Sequence, residues 1–334
     1  MRDVTPTGPS PSRRLVTVGA LGVAVAALTG CGIRLEDDAP HVPLVPVRSP
    51  IAGEDALLRL LAAVQAAALA PVDPTLPISP LLAPLHQKQA AVLHDALRQR
   101  GVPADELASA TPSPTPTPTP TPSASRSSTP SVTPSGASPA PVPASTAAVE
   151  LAIVTAGAGC EAAADELRPI LVSLMAQAQA ALDLTGAPPA ARLTPATTWT
   201  TPEVLVPLIT AVRTATYYLQ VAAARSTLSV RADWLPGIDL LERLTAELVE
   251  AVGDGAPAPD LGRPLPHPVT TPAEAATLVS EALTTLLSTF GSTLRSLTDA
   301  DPDAAFAVVP RWLATVAAQA RRHGIPLTAF PGLT

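Results

Sequence analysis

Cysteine is almost missing from this chain: Cys31 and Cys160 are the only two in 334 residues. No disulfide framework, Cys-x-x-Cys pair or cysteine-rich zinc site can be built from them. Aromatic residues make up 2% of the chain, too few for the stacking platforms that bind nucleobases or carbohydrate. Lysine is reduced to Lys88, and arginine fills every other basic position. Catalytic signatures are missing as well. There is no Gly-x-Ser-x-Gly, no phosphate-cradling glycine loop and no His-Glu-x-x-His. Gly253-Asp254-Gly255 reads only as a turn. The expectation is therefore no catalytic residues, no metal, no cofactor and no enzyme activity.

What is present begins at the N-terminus. Arg2, Arg13 and Arg14 precede 14 mostly apolar residues, Leu15 to Leu28. A membrane-spanning helix needs about 20, so this run is too short to span. A basic segment, a short apolar segment and a small-residue site make up an export signal. Leu28-Thr29-Gly30-Cys31 resembles the lipobox of a bacterial lipoprotein signal peptide, ending at the cysteine that takes the lipid. Ser12-Arg13-Arg14-Leu15-Val16 also resembles a twin-arginine signal, except that Val16 stands where an aromatic is usual. The resemblance implies cleavage before Cys31, acylation there, and a protein on the extracytoplasmic face of the cell membrane. One acyl chain holds a protein only marginally; two or more hold it stably.

Without Arg2, Asp3, Arg13 and Arg14 the remaining body has 18 basic and 27 acidic side chains. That balance disfavours nucleic acid and anionic lipid as electrostatic partners. The membrane is then a partner only through Cys31. Cys160 reads as a small buried apolar residue.

Apolar content is 47%, mostly alanine and leucine, which points to an all-α fold. Residues 31–50 form a tether, with Pro40, Pro43, Pro46 and Pro50 outside any apolar period. A helical hairpin follows over 51–108. Leu57, Leu60, Leu61 and Val64 mark its first helix; Leu82, Leu85, Gln89, Leu93 and Leu97 mark its second. Ser79 reads as the cap of the second helix, with Pro80 in its first turn. Residues 109–145 are a proline, serine and threonine tract. Of the 34 residues from Thr111 to Ala144, 11 are proline and 15 are serine or threonine, so no core can form there. It reads as a linker, an O-glycosylated stalk or an insertion within one domain.

Residues 146–184 return to helix, weakened at Gly157 and Gly159 and broken or kinked at Pro169, and are expected to pack on the hairpin. Residues 201–334 hold four helical segments. Their apolar stripes run through Leu205–Leu219, Ile238–Val252 (starting near Pro236), Val279–Leu297 and Phe306–Val316. Thr271-Pro272-Ala273-Glu274 reads as a helix start.

Three stretches carry a resemblance: Ala211-Val212-Arg213-Thr214-Ala215-Thr216-Tyr217-Tyr218, the loop Pro264 to Thr270, and Thr328-Ala329-Phe330-Pro331-Gly332-Leu333. With them, residues 201–334 resemble a ferritin-like domain of unknown function found in exported lipoproteins of high-GC bacteria. Leu82 to Gln89 resembles a helix seen upstream in such proteins. The resemblance implies a C-terminal four-helix bundle and no established activity. Di-metal bundles of this type need Glu-x-x-His on two helices. None of His41, His86, His94, His267 and His323 has a glutamate three residues before it. His86 and His94 lie about 80° apart on an ideal helix, which leaves a shared metal as a minor alternative. Glu161, Glu166, Glu247, Glu250, Glu274 and Glu281 read as helical, most of them where solvated faces are expected. Tyr217, Tyr218, Trp234, Phe290 and Trp312 are expected in the core or around a pocket. The function expected is binding or scaffolding in the cell envelope, with a small-ligand or lipid site and a degenerate metal site as alternatives.

Overall fold

A computed structural model describes residues 48–110, 144–186, 198–260 and 262–333. The export signal with Arg13, Arg14, Leu28, Thr29, Gly30 and Cys31, nearly all of the tether, and most of the 109–145 tract lie outside the described residues. Among those described, every regular element is helical and no strand occurs. Ser49–Thr334 forms one compact unit, so the helices before and after the tract share one body.

The first helices are α1 (Glu54–Ala68), α2 (Ser79–Gln99) and the short α3 (Ala104–Ser109). The last was not anticipated; it begins after Pro103, with Asp105 and Glu106 in its first turn, where carboxylates suit the helix dipole. Ser79 does not cap α2. It is the first helical residue, and its hydroxyl accepts from the Asp73 backbone N–H at 2.8 Å, tying the preceding turn instead.

α4 (Thr146–Ala156) and α5 (Arg168–Leu184) are separated by a short 3-10 turn at Cys160–Ala162. The break follows Gly157 and Gly159, and Gly159 takes a left-handed φ of 91°, which favours glycine. Pro169 then sits in the first turn of α5, where its missing N–H is harmless. Every residue from Leu171 to Leu182 is buried. Apolar side chains dominate its surface on all sides, which places it inside; Ala176, Ala178, Ala180 and Ala181 let its neighbours come close, and the buried Ser173 and Gln177 are hydrogen-bonded. α5 lies along α9 and α4 and touches α8.

The C-terminal helices are α6 (Val206–Ala224), α7 (Leu228–Val252), α8 (Pro272–Ala300) and α9 (Pro302–Arg322). α7 starts eight residues before Pro236, not at it. Arg231 explains the early start: its guanidinium donates to Ala223 O and Ala224 O, satisfying the last carbonyls of α6. Trp234 adds buried surface, and Pro236 lies inside the helix. α8 opens on a full capping box between Thr271 and Glu274. Three donors on Thr270 and Thr271 hold the Glu274 carboxylate, lowering its pKa to about 2. Asp301 caps α9 through the Ala304 N–H.

α6 packs on α7 and α8, and α8 packs on α9. Thr200, just ahead of α6, bonds Asp301 and Ala300 O at the end of α8. α6 thus begins where α8 ends, and the two run antiparallel.

Candidate functional site

Helical periodicity gives the Ala211–Tyr218 stretch three faces. Val212 and Leu219 point into the core and are fully buried. Ala211, Ala215 and Tyr218 face α8, where an open groove of about 550 Å³ runs between the two helices. Its floor is Ala215, Leu278, Ala282 and Leu286, all buried. Tyr218 and Pro266 stand toward one end. The Tyr218 hydroxyl donates to Pro264 O at 3.0 Å, anchoring the loop that walls that end.

The third face of the same stretch meets α7. Arg213, Thr216, Tyr217 and Gln220 line a smaller cleft of about 260 Å³ with Glu242 and Arg263. Most of its polar side chains have partners within the protein. Arg213 donates to Pro257 O, Arg263 pairs with Asp260, and Gln220 donates to Glu242 at 2.9 Å.

Side chains from α2, α4 and α5 meet the C-terminal segment in a buried polar network. Gln89 donates to Ala329 O at 2.7 Å and to Gln177 Oε1 at 2.9 Å. A carbonyl can only accept, so the Gln89 amide nitrogen faces Ala329 and its oxygen faces His86 Nδ1, 2.9 Å away. His86 Nδ1 must therefore carry a proton. His86 Nε2 lies 2.8 Å from Glu150 Oε1. One proton sits in that contact, either as imidazolium with carboxylate or as imidazole with carboxylic acid. Both side chains are essentially fully buried. Burial, the largest influence on His86, pulls its pKa down, but the bond to Glu150, that residue's charge and Gln89 outweigh it, and the pKa is raised. Burial also raises Glu150, against the opposing pull of His86. Beside the pair is a cavity of about 20 Å³ bordered by Ser79 and Thr146, the size of one water.

The same segment is held further along. Ser173 donates to Pro331 O at 2.7 Å. Gly332 takes a φ of 81°, and its carbonyl lies so close to Gly291 that a Cβ there would overlap it. The Leu82–Gln89 and Thr328–Leu333 stretches, 240 residues apart at Gln89 and Ala329, are thus joined in one lock. The lock ties the C-terminal segment to α2 and α5 through Gln89 to Ala329 O and Ser173 to Pro331 O.

His94 is half-exposed beside Asp95 and does not meet His86. His41 lies outside the described residues. His267 pairs with Glu281 at 3.2 Å. His323 bonds Gln319 and lies edge-on to Trp234; burial pulls its pKa down. Among the described residues, no three His, Cys, Asp or Glu side chains form a group that could hold a metal. Glu247 is not simply solvated. It accepts two bonds from Arg311 and one from Trp312. Partial burial pushes its carboxyl up, but these bonds hold the pKa below the usual value. Trp312, stacked on Trp199, Trp234 and Phe290 belong to the core, while Tyr217 and Tyr218 line the two clefts. Cys160 is buried, and burial pushes its thiol up to about 12. The residue that sequence analysis missed is Glu150. The available signal was a lone acid within the apolar run Ala147–Ile153.

No protein-family model matches the chain, and comparisons with curated proteins and with solved structures find no match.

Proposed function

We propose that this chain is an exported lipoprotein, held at the extracytoplasmic face of the membrane by acylated Cys31, whose helical body binds a small ligand without catalysing a reaction. The observation that carries the binding reading is the groove between α6 and α8. Its volume, about 550 Å³, lies within the roughly 300–1,000 Å³ range of small-molecule sites, and an apolar lining with few polar groups is their usual character. The proposal for the anchor rests on Leu28-Thr29-Gly30-Cys31 after a basic and apolar leader.

A ferritin-like arrangement of α6–α9 belongs to the same reading. It is supported by an α6–α7 hairpin, a long connection from Gly253 to Thr271, and a second pair, α8–α9, with α6 antiparallel to α8. In this arrangement the bundle holds no metal and serves as a frame for the groove.

Two experiments test the proposal. Labelling cells with an alkyne palmitate analogue should tag the wild type and not Cys31→Ala; equal labelling would remove the anchor. Native mass spectrometry of protein purified from membranes should show a bound small molecule that Thr285→Phe, at the groove rim, displaces. Bound mass retained in that variant would remove the groove from the function.

A further inference from the structure

We propose that the α6/α8 groove takes one unbranched hydrocarbon chain of an amphiphile whose head carries no net negative charge; this rests on the binding reading above. The lining residues on α6 run from Val206 to Tyr218, which at 1.5 Å per residue is a length of about 18 Å. A single extended hydrocarbon of that length, about 5 Å across at van der Waals contact, needs roughly 350 Å³, and the groove offers about 550 Å³, so one chain fits along it.

Thr214 and Thr289 turn their hydroxyls back onto the carbonyls of Thr210 and Thr285, at 2.7 and 2.9 Å. Such back-bonding satisfies the hydroxyl within its own helix. Tyr218 is occupied by Pro264 O and Glu281 by His267. These four polar groups are satisfied by the protein; Thr210 and Thr285 also line the groove, and the rest of its lining is apolar surface, which carries most of the recognition. Pro202–Ala224 is long and apolar enough to cross a membrane, yet only 39% of its most apolar window is buried. A soluble helix that apolar leaves surface for a hydrocarbon to cover.

The head belongs at the end marked by Tyr218, Pro266 and Glu281, where the loop and solvent meet. The Glu281 carboxylate there repels an anionic head, as does the net charge of −7 on the whole chain. A zwitterionic or uncharged head suits it.

The test is calorimetric binding of alkylphosphocholines of eight to sixteen carbons to the full chain, below their micelle-forming concentrations. Affinity should rise about fourfold per methylene. It should level off near 14 carbons, since tetrahedral C–C geometry advances roughly 1.25 Å per carbon. Alkanoates of equal length should bind at least tenfold more weakly. Thr214→Phe and Thr285→Phe fill the rim, and each should weaken binding tenfold or more. Thr277→Phe, on the exposed face of α8 outside the groove, should not. Melting curves of all three variants separate loss of site from loss of fold. The proposal is overturned if no chain length binds, or if binding survives in both rim variants. If no alkylphosphocholine binds while protein purified from membranes carries another small molecule displaced by Thr285→Phe, the hydrocarbon assignment falls and the binding reading stands. If neither is seen, both fall.

Discussion

Replacing Glu150 with glutamine should flatten the alkaline loss of stability. The motive is the single proton trapped between His86 Nε2 and Glu150 Oε1 at 2.8 Å in a fully buried site. In the unfolded chain at pH 7 the carboxylate is ionised, and the imidazole, with an ordinary pKa of 6.5, is about three-quarters neutral. Folding must therefore take up most of a proton. Both pKa values are raised in the folded state. The sign follows: stability from the pair is full below the unfolded histidine pKa and falls as pH rises through the folded values. Linkage gives about 1.4 kcal/mol lost per pH unit for one proton. From pH 7 upward the wild type should lose stability from this pair at up to that slope for as long as the folded state retains the proton. In Glu150→Gln the amide donates to neutral His86 Nε2, with no proton uptake required. Urea midpoints from pH 6.5 to 9, with the variant subtracted to remove other groups, read the difference. Parallel slopes in the two proteins would refute the shared proton.

Three further outcomes follow from the same packing. Gly291→Ala lies within a helix, where alanine normally gains about 1 kcal/mol. Here its Cβ meets the Gly332 carbonyl, so a loss of about 2 kcal/mol or more in urea unfolding is expected, and a gain would show that the segment does not cross α8 there. Ser173→Ala leaves the Pro331 carbonyl unpaired in the core, costing about 1–3 kcal/mol; hydrogen exchange of Ala329 to Leu333 should quicken, and unchanged protection would count against the lock. Cys160, buried with its thiol raised to about 12, should resist iodoacetamide in native protein and react once urea unfolds it. Rapid native labelling would contradict the burial.

The sequence was legible wherever the signal is local. Alanine and leucine at helical spacing, the Thr271–Glu274 box and the glycines before Pro169 depend on residues a few positions apart, and the helices form where those patterns predict. Pro236 misled because proline weakens a helix without forbidding it when a preceding turn is pinned, as Arg231 pins α7 to the end of α6. The groove was not legible, although Ala211 to Tyr218 lies on one of its two helices. A groove needs two helices, and only one was named by the motif.

From sequence alone came the helical class, the breaks between elements, the shortage of metal and cysteine chemistry, and the expectation of an anchor at Cys31. Tertiary structure alone decided that α5 is the buried centre. It also decided that His86 meets Glu150 across 64 residues and that Gln89 reaches Ala329. Local pattern reports which face of a helix is apolar. It does not report which distant helix covers that face, and a buried polar side chain reads like a solvated one until its partner is in place.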